Sequence, residues 1–252
     1  MSRILLIETS AALCSIALSE EGKCVAHKES QTERSHASMT AVLIDELLKE
    51  RNLRVQDCDG VAVSKGPGSY TGLRVGVSSA KGLCFGAGLP LLAVGTLDVL
   101  VEGAWTRGEI PAGCEGIFPV IDARRNEIYT ATYSINGTAN GSLPQNAEAA
   151  ETKAQRTGEI RPLIIGEDTF DIDINGKKLL FIGDAAEKCQ RLLSEQGVDI
   201  SRCTFINCQP KACDMCQAAQ AAFDAQRFED VAYFEPFYLK EFVATVSKKK
   251  LF

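Results

Sequence analysis

The chain has 252 residues, 45% hydrophobic and 24% charged, with 33 acidic against 27 basic side chains and a net charge of −6. That length supports one large domain or two lobes with real cores, and the acidic excess excludes a free-standing nucleic-acid grip built on a basic surface. No apolar run reaches the roughly 18 residues of a membrane helix, and the opening MSRILLIETS lacks the apolar centre of a secretion signal; a cytoplasmic location without membrane contact is expected, with the ten cysteines as reduced thiols.

Three short apolar segments come first, Arg3 to Glu8, Cys14 to Ser19 and Lys23 to Lys28, separated by the turn-like TSAA and EEGK, and read as an antiparallel meander. Over 36–50, Met39, Val42, Leu43 and Leu47 recur at helical spacing, widened by Ile44 and Leu48, with Ser35 as the expected N-cap. GVAVS, Gly60 to Ser64, is a buried strand, and PLLAV, Pro90 to Val94, is another. Between them SKGPGSYTGLRVGVSSAKG places five glycines in residues 64–82. A P-loop needs Lys and then Ser or Thr after its second glycine, and Gly66, Gly68 and Gly72 break the dinucleotide spacing too. What remains is a tight turn (Gly66, Pro67, Gly68) and a helix starting near Ser69 or Thr71. An anion at that helix start stays open, but the small residues Gly72, Gly76, Ser79 and Ala80 on one side favour close packing. Strand, strand, strand, helix, strand, helix, strand is the order of an RNase H-like mixed sheet.

The second half repeats the outline. GIFPVIDARRNEIYTATY matches RILLIETSAALCSIALS as a strand ending in an acidic residue, a polar turn and a second strand. A polar stretch over 136–159 follows, then LLFIG (Leu179 to Gly183), a helix through AAEKCQRLLSEQG and a last helix around MCQAAQAAFDAQRF. An α/β fold of two RNase H-like lobes in the actin-like ATPase manner is expected, with lobes over 1–104 and 105–234 and a tail over 235–252 free to return to the first lobe. In such a fold each lobe offers an acidic residue and a small-residue hairpin to nucleotide phosphates. Glu8, Thr9 and Ser10 keep that character, whereas Asp122 is followed by Ala123, Arg124 and Arg125, so the cleft reads as vestigial.

Two histidines, His27 and His36, leave no basis for a His-rich metal site or a Ser-His-Asp triad. Cys208, Cys213 and Cys216 have the C-x4-C-x2-C spacing of some iron–sulfur loops, with Cys203 just before, yet Cys213 and Cys216 also fit one face of the last helix; packing is the preferred reading. Lys248 to Lys250 read as a solvated tail, contact with RNA or a partner being the alternative.

GPGSYTGLRVG (Gly66 to Gly76), IETS (Ile7 to Ser10), IDARRNEIY (Ile121 to Tyr129) and EPFYLK (Glu235 to Lys240) together resemble the TsaB (YeaZ-like) family of tRNA threonylcarbamoyladenosine biosynthesis proteins, paralogs of TsaD formerly grouped with M22 glycoproteases. The resemblance runs from residue 3 to about 134 and resumes at the tail. It implies a non-catalytic scaffold that binds and activates TsaD, the metal-bearing transferase, and supports docking of the ATPase TsaE. It further implies a homodimer when TsaD is absent and only indirect contact with tRNA. ATP and a divalent metal would serve the partner subunits, and no cofactor is expected on this chain alone. Where TsaD-like proteins carry histidine ligands, this chain reads GTLDVLV, Gly95 to Val101. The family docks through the two first-lobe helices, which makes Met39, Leu43, Leu47, Leu73, Gly76, Val77 and Ala80 the expected contacts. The family's proline inside the first helix is missing from SHASMTAVLID. Two rivals stand beside this reading: an actin-like ATPase or small-molecule kinase using Glu8 and Asp122, and a metal-binding module built on Cys203 to Cys216.

Overall fold

Strands form where alternate side chains can be buried on two faces, and the first strand shows this directly. In β1 (Arg3–Glu8) Leu5 and Ile7 enter one core while Ile4 and Leu6 enter another, as the two-residue period of a strand requires. The computed structural model describes residues 1–31, 36–135, 154–166, 168, 170 and 172–240. Ser35, residues 136–153, most of the tail and Lys248 to Lys250 lie outside them.

Antiparallel β2 (Cys14–Glu20) and β3 (Lys23–Ser30) follow β1, then α1 (His36–Glu50), β4 (Gly60–Gly66), α2 (Tyr70–Ala87) and β5 (Leu91–Gly95). The sheet runs β3-β2-β1-β4-β5, with β4 and β5 parallel to β1. α1 and α2 cover one face: Leu43, Leu47, Val77 and Ala80 pack on Leu5, Ile7, Ile16 and Val63.

The second sheet repeats the plan with fewer helices. β6 (Gly116–Asp122), β7 (Glu127–Thr130), β10 (Arg161–Ile164), β11 (Leu179–Ile182) and β12 (Thr204–Ile206) lie in the order β10-β7-β6-β11-β12, the same path as the first sheet. β8 (Tyr133–Ile135) pairs with β6, and β9 (Ala154–Arg156) pairs with β8. α4 (Ala186–Glu195) links β11 to β12. Where the first lobe inserts α1, the described residues between β10 and β11 form no helix, and an aromatic stack fills the face. Phe118 and Phe205 stack on either side of Phe181 at 5.1 and 4.9 Å, with Phe170 edge-on to Phe118 at 5.2 Å. Two RNase H-like sheets in the actin-like arrangement are therefore present.

The expected boundary at 104/105 falls inside a helix. α3 (Thr96–Thr106) spans that point and is shared: Val99 packs with the first sheet, while Leu97, Leu100, Val101 and Ala104 pack with the second. The 105–234 stretch does not close on itself. A 3-10 turn, Ala212–Met215, and α5 (Cys216–Asp224) return to cover the second face of the first sheet, where Met215, Ala219 and Ala222 meet Ile4, Leu6, Ala62 and Leu92. Arg107, just past α3, fastens this return through Asp214 at 2.8 Å and also pairs with Glu109 at 3.1 Å. The sequence places the elements but carries no mark of which sheet a helix of small residues will cover.

Candidate functional site: strand-end hairpins and the outer face of the paired helices

The turn after β4 brings the glycine-rich segment onto the β1–β2 hairpin. Gly66 sits at φ 109°, a conformation that favours glycine. Ser69 caps α2, its hydroxyl accepting from the Gly72 N–H at 3.3 Å, while its own N–H donates to the Ser10 carbonyl at 2.7 Å. The Thr9 hydroxyl donates to the Gly72 carbonyl at 2.8 Å. A Cβ at Gly68, Gly72 or Gly76 would overlap Ser10 O, Thr9 O or Thr9 Oγ1 respectively. These glycines therefore thin the helix for its own lobe's hairpin and not for a second helix.

Two backbone donors of the hairpin are spent inside the protein, while the Ser10 hydroxyl is buried without a partner. The Ser10 N–H donates to Glu8 Oε1 at 2.6 Å, and the Ala12 N–H to Gln209 Oε1 at 3.1 Å. Glu8, Thr9 and Ser10 are all fully buried. Desolvation pushes the Glu8 carboxyl above the usual range against the opposing pull of Ser10 and Ser64, whose hydroxyl donates at 2.9 Å; its Oε2 has no partner.

A folded-state pKa raised above the unfolded one means that the folded protein holds the extra proton, so stability falls as pH rises past the ordinary carboxylate range near 4.3. Asp184, raised to about 6 by burial, acts with the same sign. Glu8→Gln is expected to flatten the loss of stability between pH 5 and 8 and to exceed the wild type at pH 8 in urea unfolding. Equal slopes for the two proteins would contradict this.

In the second lobe the Asp122 N–H donates to Asp184 Oδ1 at 2.8 Å, and the Arg124 N–H to Asp122 Oδ1 at 2.9 Å. The Lys188 ammonium pairs with Asp122 and donates to the carbonyls of Arg125 and Glu127 at 3.1 and 2.7 Å. Arg124 and Arg125 take positive φ values, 69° and 49°, and both side chains are exposed. The N–H donors named here are committed, and the second turn is internally tied by a lysine. The tail joins the lobes. The Phe237 N–H donates to the Lys65 carbonyl at 2.7 Å, Tyr238 lies 4.8 Å from Tyr70, the Arg74 guanidinium sits 5.4 Å over Tyr70, and Lys240 pairs with Glu127 of β7.

The expected docking residues are mostly inward. Leu43, Leu47, Leu73, Val77 and Ala80 are at most 5% exposed, Gly76 is buried against Thr9, and Met39 is half-buried. The helical stripe belongs to the protein's own core. Between the two helices lies a groove of about 620 Å³ lined by Ala41, Ile44, Leu48, Ser78, Gly82 and Leu83; Val42 of α1 is 44% and Phe85 of α2 86% exposed. Gly82 and Gly86 have open space where a Cβ would be. Ser78, Gly82 and Gly86 repeat every four residues, a second small-residue stripe that was readable in the sequence but masked by the stronger one at Gly72, Gly76 and Ala80.

The cysteines scatter: Cys203 packs beside the β11–α4 core, Cys208 beside the α3 core, and Cys213 and Cys216 in the α5 core. Among the described residues no group of three or more His, Cys, Asp or Glu is placed to hold a metal ion, and no described helix is long and apolar enough to cross a membrane. His27 lies exposed on β3, while the side chain of His36 is outside the described set.

A family model described as TsaD, tRNA N6-adenosine threonylcarbamoyltransferase, matches residues 26–251. The tRNA threonylcarbamoyladenosine biosynthesis protein TsaB of Escherichia coli K12 is 30% identical over 244 residues, covering 96% of each chain. The chain belongs to the TsaB family. TsaB of Bacillus subtilis is 34% identical over 193 residues, 73% of this chain and 81% of that relative. The solved YeaZ of Pseudomonas aeruginosa shares the fold, with a TM-score of 0.72 at 24% identity over 95% of this chain and all of that one. Within this TsaB-family chain the four motifs that carry the resemblance lie together. IETS and GPGSYTGLRVG meet at the Ser10–Ser69 and Thr9–Gly72 bonds, and the EPFYLK segment lies on both GPGSYTGLRVG, through Tyr70, and IDARRNEIY, through Glu127.

Proposed function

We propose that this chain serves in tRNA N6-threonylcarbamoyladenosine synthesis as a non-catalytic scaffold, docking a TsaD-like paralog on the outer α1/α2 face. One observation carries the reading: α1 and α2 together line a groove of about 620 Å³, and the same two helices expose Phe85 at 86% and Val42 at 44%. Exposed apolar side chains of that size gain most when a partner covers them. The contact set is thereby moved from Leu43, Leu47, Leu73, Gly76, Val77 and Ala80 to Ala41, Val42, Ser78, Gly82 and Phe85. The same face would pair two copies when the paralog is absent. The proposal assigns ATP and the divalent metal to the partner subunits, the TsaE-like ATPase to the assembled pair, and tRNA to indirect contact. The committed hairpin donors at Ser10, Ala12, Asp122 and Arg124 speak against the ATPase reading.

The test is threonylcarbamoyl transfer to tRNA reconstituted from the cognate TsaD-like and TsaE-like proteins, with and without this chain, with complex mass followed in parallel. Product that requires the chain, together with a stable complex, is the expected result. Product unchanged in its absence and no complex would overturn the scaffold reading. Turnover of ATP by the chain alone, lost in Asp122→Asn, would replace it with the ATPase.

A further inference from the structure

In a regular strand, residues three apart point to opposite faces, yet Cys24 and His27 of β3 share one. The cause is a bulge: Leu18 pairs with Ala26 and Ser19 with Cys24, which leaves Val25 without a partner on β2. One extra residue reverses the alternation, so Cys24 joins His27 and Glu29 on the face that receives the chain's return. Glu29 pairs there with Lys211 at 3.2 Å, and the Gln217 side chain donates to the Gly22 carbonyl at 2.8 Å, one anchor on each side of Cys216. Along the chain Cys24 lies between Gly22 and Glu29 as Cys216 lies between Lys211 and Gln217 on the return, so the two anchors set these cysteines against each other, with His27 on the same face of β3. Cys24 is exposed and its thiol donates to the Ala26 carbonyl at 3.5 Å, while Cys216 is 4% exposed.

We propose that Cys24 and Cys216 form a reversible dithiol–disulfide pair, Cys24 as the attacking thiol and Cys216 as the resolving one, that clips α5 to the edge strand β3. The oxidant is a low-molecular-weight disulfide of the glutathione class. The Cys24 thiolate attacks one sulfur, the small disulfide's S–S bond breaks, and the first small thiolate leaves and takes a proton from solvent. Cys216 then gives its proton to solvent and attacks the Cys24 sulfur of the mixed disulfide, expelling the second small thiolate. Two protein thiols are oxidised and one small disulfide is reduced to two thiols.

The surroundings divide the roles. The Cys216 contact, and then the charge and hydrogen bond of His27, hold the Cys24 thiol below the ordinary range. Cys216 is pushed up by that same contact and by burial, and the other cysteines are raised mainly by burial: Cys58 and Cys84 to about 11, Cys189 to about 12. Thiolate character together with access marks the thiol that reacts first.

The full-length protein is incubated with oxidised glutathione, trapped with iodoacetamide and mapped as unreduced peptides. The expected product in wild type and in Cys213→Ser is a Cys24–Cys216 cross-linked peptide that dithiothreitol reverses. Cys216→Ser is expected to stop at a glutathione adduct on Cys24, and Cys24→Ser to give neither. A stable glutathione adduct on wild-type Cys24, or a bond from Cys24 to Cys213, would overturn the assignment. Alkylation of wild-type Cys24 gives a second readout that needs no variant. An ordinary thiol with a pKa near 8.5 loses about eightfold in rate between pH 8 and 7, and Cys24 is expected to lose much less. A loss of about eightfold there would contradict its role as the attacking thiol.

Discussion

Gly72→Ala is expected to destabilise the protein by about 3 kcal/mol or more, because the added methyl group meets backbone and not a movable side chain. The new Cβ would overlap the Thr9 carbonyl oxygen. Thr9 cannot retreat: it follows β1, its hydroxyl is bonded to the Gly72 carbonyl, and the neighbouring Ser10 carbonyl accepts from Ser69. Helix α2 cannot retreat either, since Leu73, Val77 and Ala80 are at most 3% exposed beneath it. Gly82→Ala is the control. The same change two to three turns later meets open space, and the better helix propensity of alanine is expected to leave stability unchanged or raise it by up to about 1 kcal/mol. Urea unfolding of the pair decides the matter, and a loss below about 1 kcal/mol for Gly72→Ala would show that the hairpin yields after all.

Phe85→Glu is expected to weaken binding of a TsaD-like paralog by about 30-fold or more, the effect of losing a central aromatic anchor worth about 2 kcal/mol, while the melting temperature stays near the wild-type value. The side chain is 86% exposed, so the carboxylate remains in water in the free protein. Val77→Glu provides the contrast. Val77 is 3% exposed and packs in the core of the first lobe, so a carboxylate there is buried without a partner and unfolds the lobe. Loss of complex in Val77→Glu therefore reports folding, and loss in Phe85→Glu reports docking. Unchanged affinity of Phe85→Glu for the paralog by calorimetry would move the interface away from this face.

Most of the first lobe was readable because each of its elements buries one repeating set of side chains. β1, α1 and α2 emerge within a residue or two of their expected bounds. α3 escaped notice for the opposite reason. Its sequence TLDVLVEGAWT puts Leu97 and Leu100 in one core and Val99 in another, so a helix squeezed between two sheets leaves a narrow stripe of Asp98, Glu102 and Trp105 partly exposed. Spacing tells that Leu43, Leu47 and Val77 share a side but not what covers it; their own sheet does. The juxtaposition of Cys24 and Cys216 had no local signal, since it needs both the bulge at Val25 and a helix nearly two hundred positions away in the chain.

The return of α5 onto the first sheet also bears on how the protein is made. During vectorial synthesis on the ribosome, β1 to β5 emerge long before Met215, Ala219 and Ala222, the residues that cover Ile4, Leu6 and Leu92. Until then one apolar face of that sheet stays wet, and contacts this distant in sequence are slow to form. The nascent first lobe is thus a natural client for chaperones, and nonsense truncation anywhere before α5 leaves an adhesive half-built sheet in place of a smaller working domain.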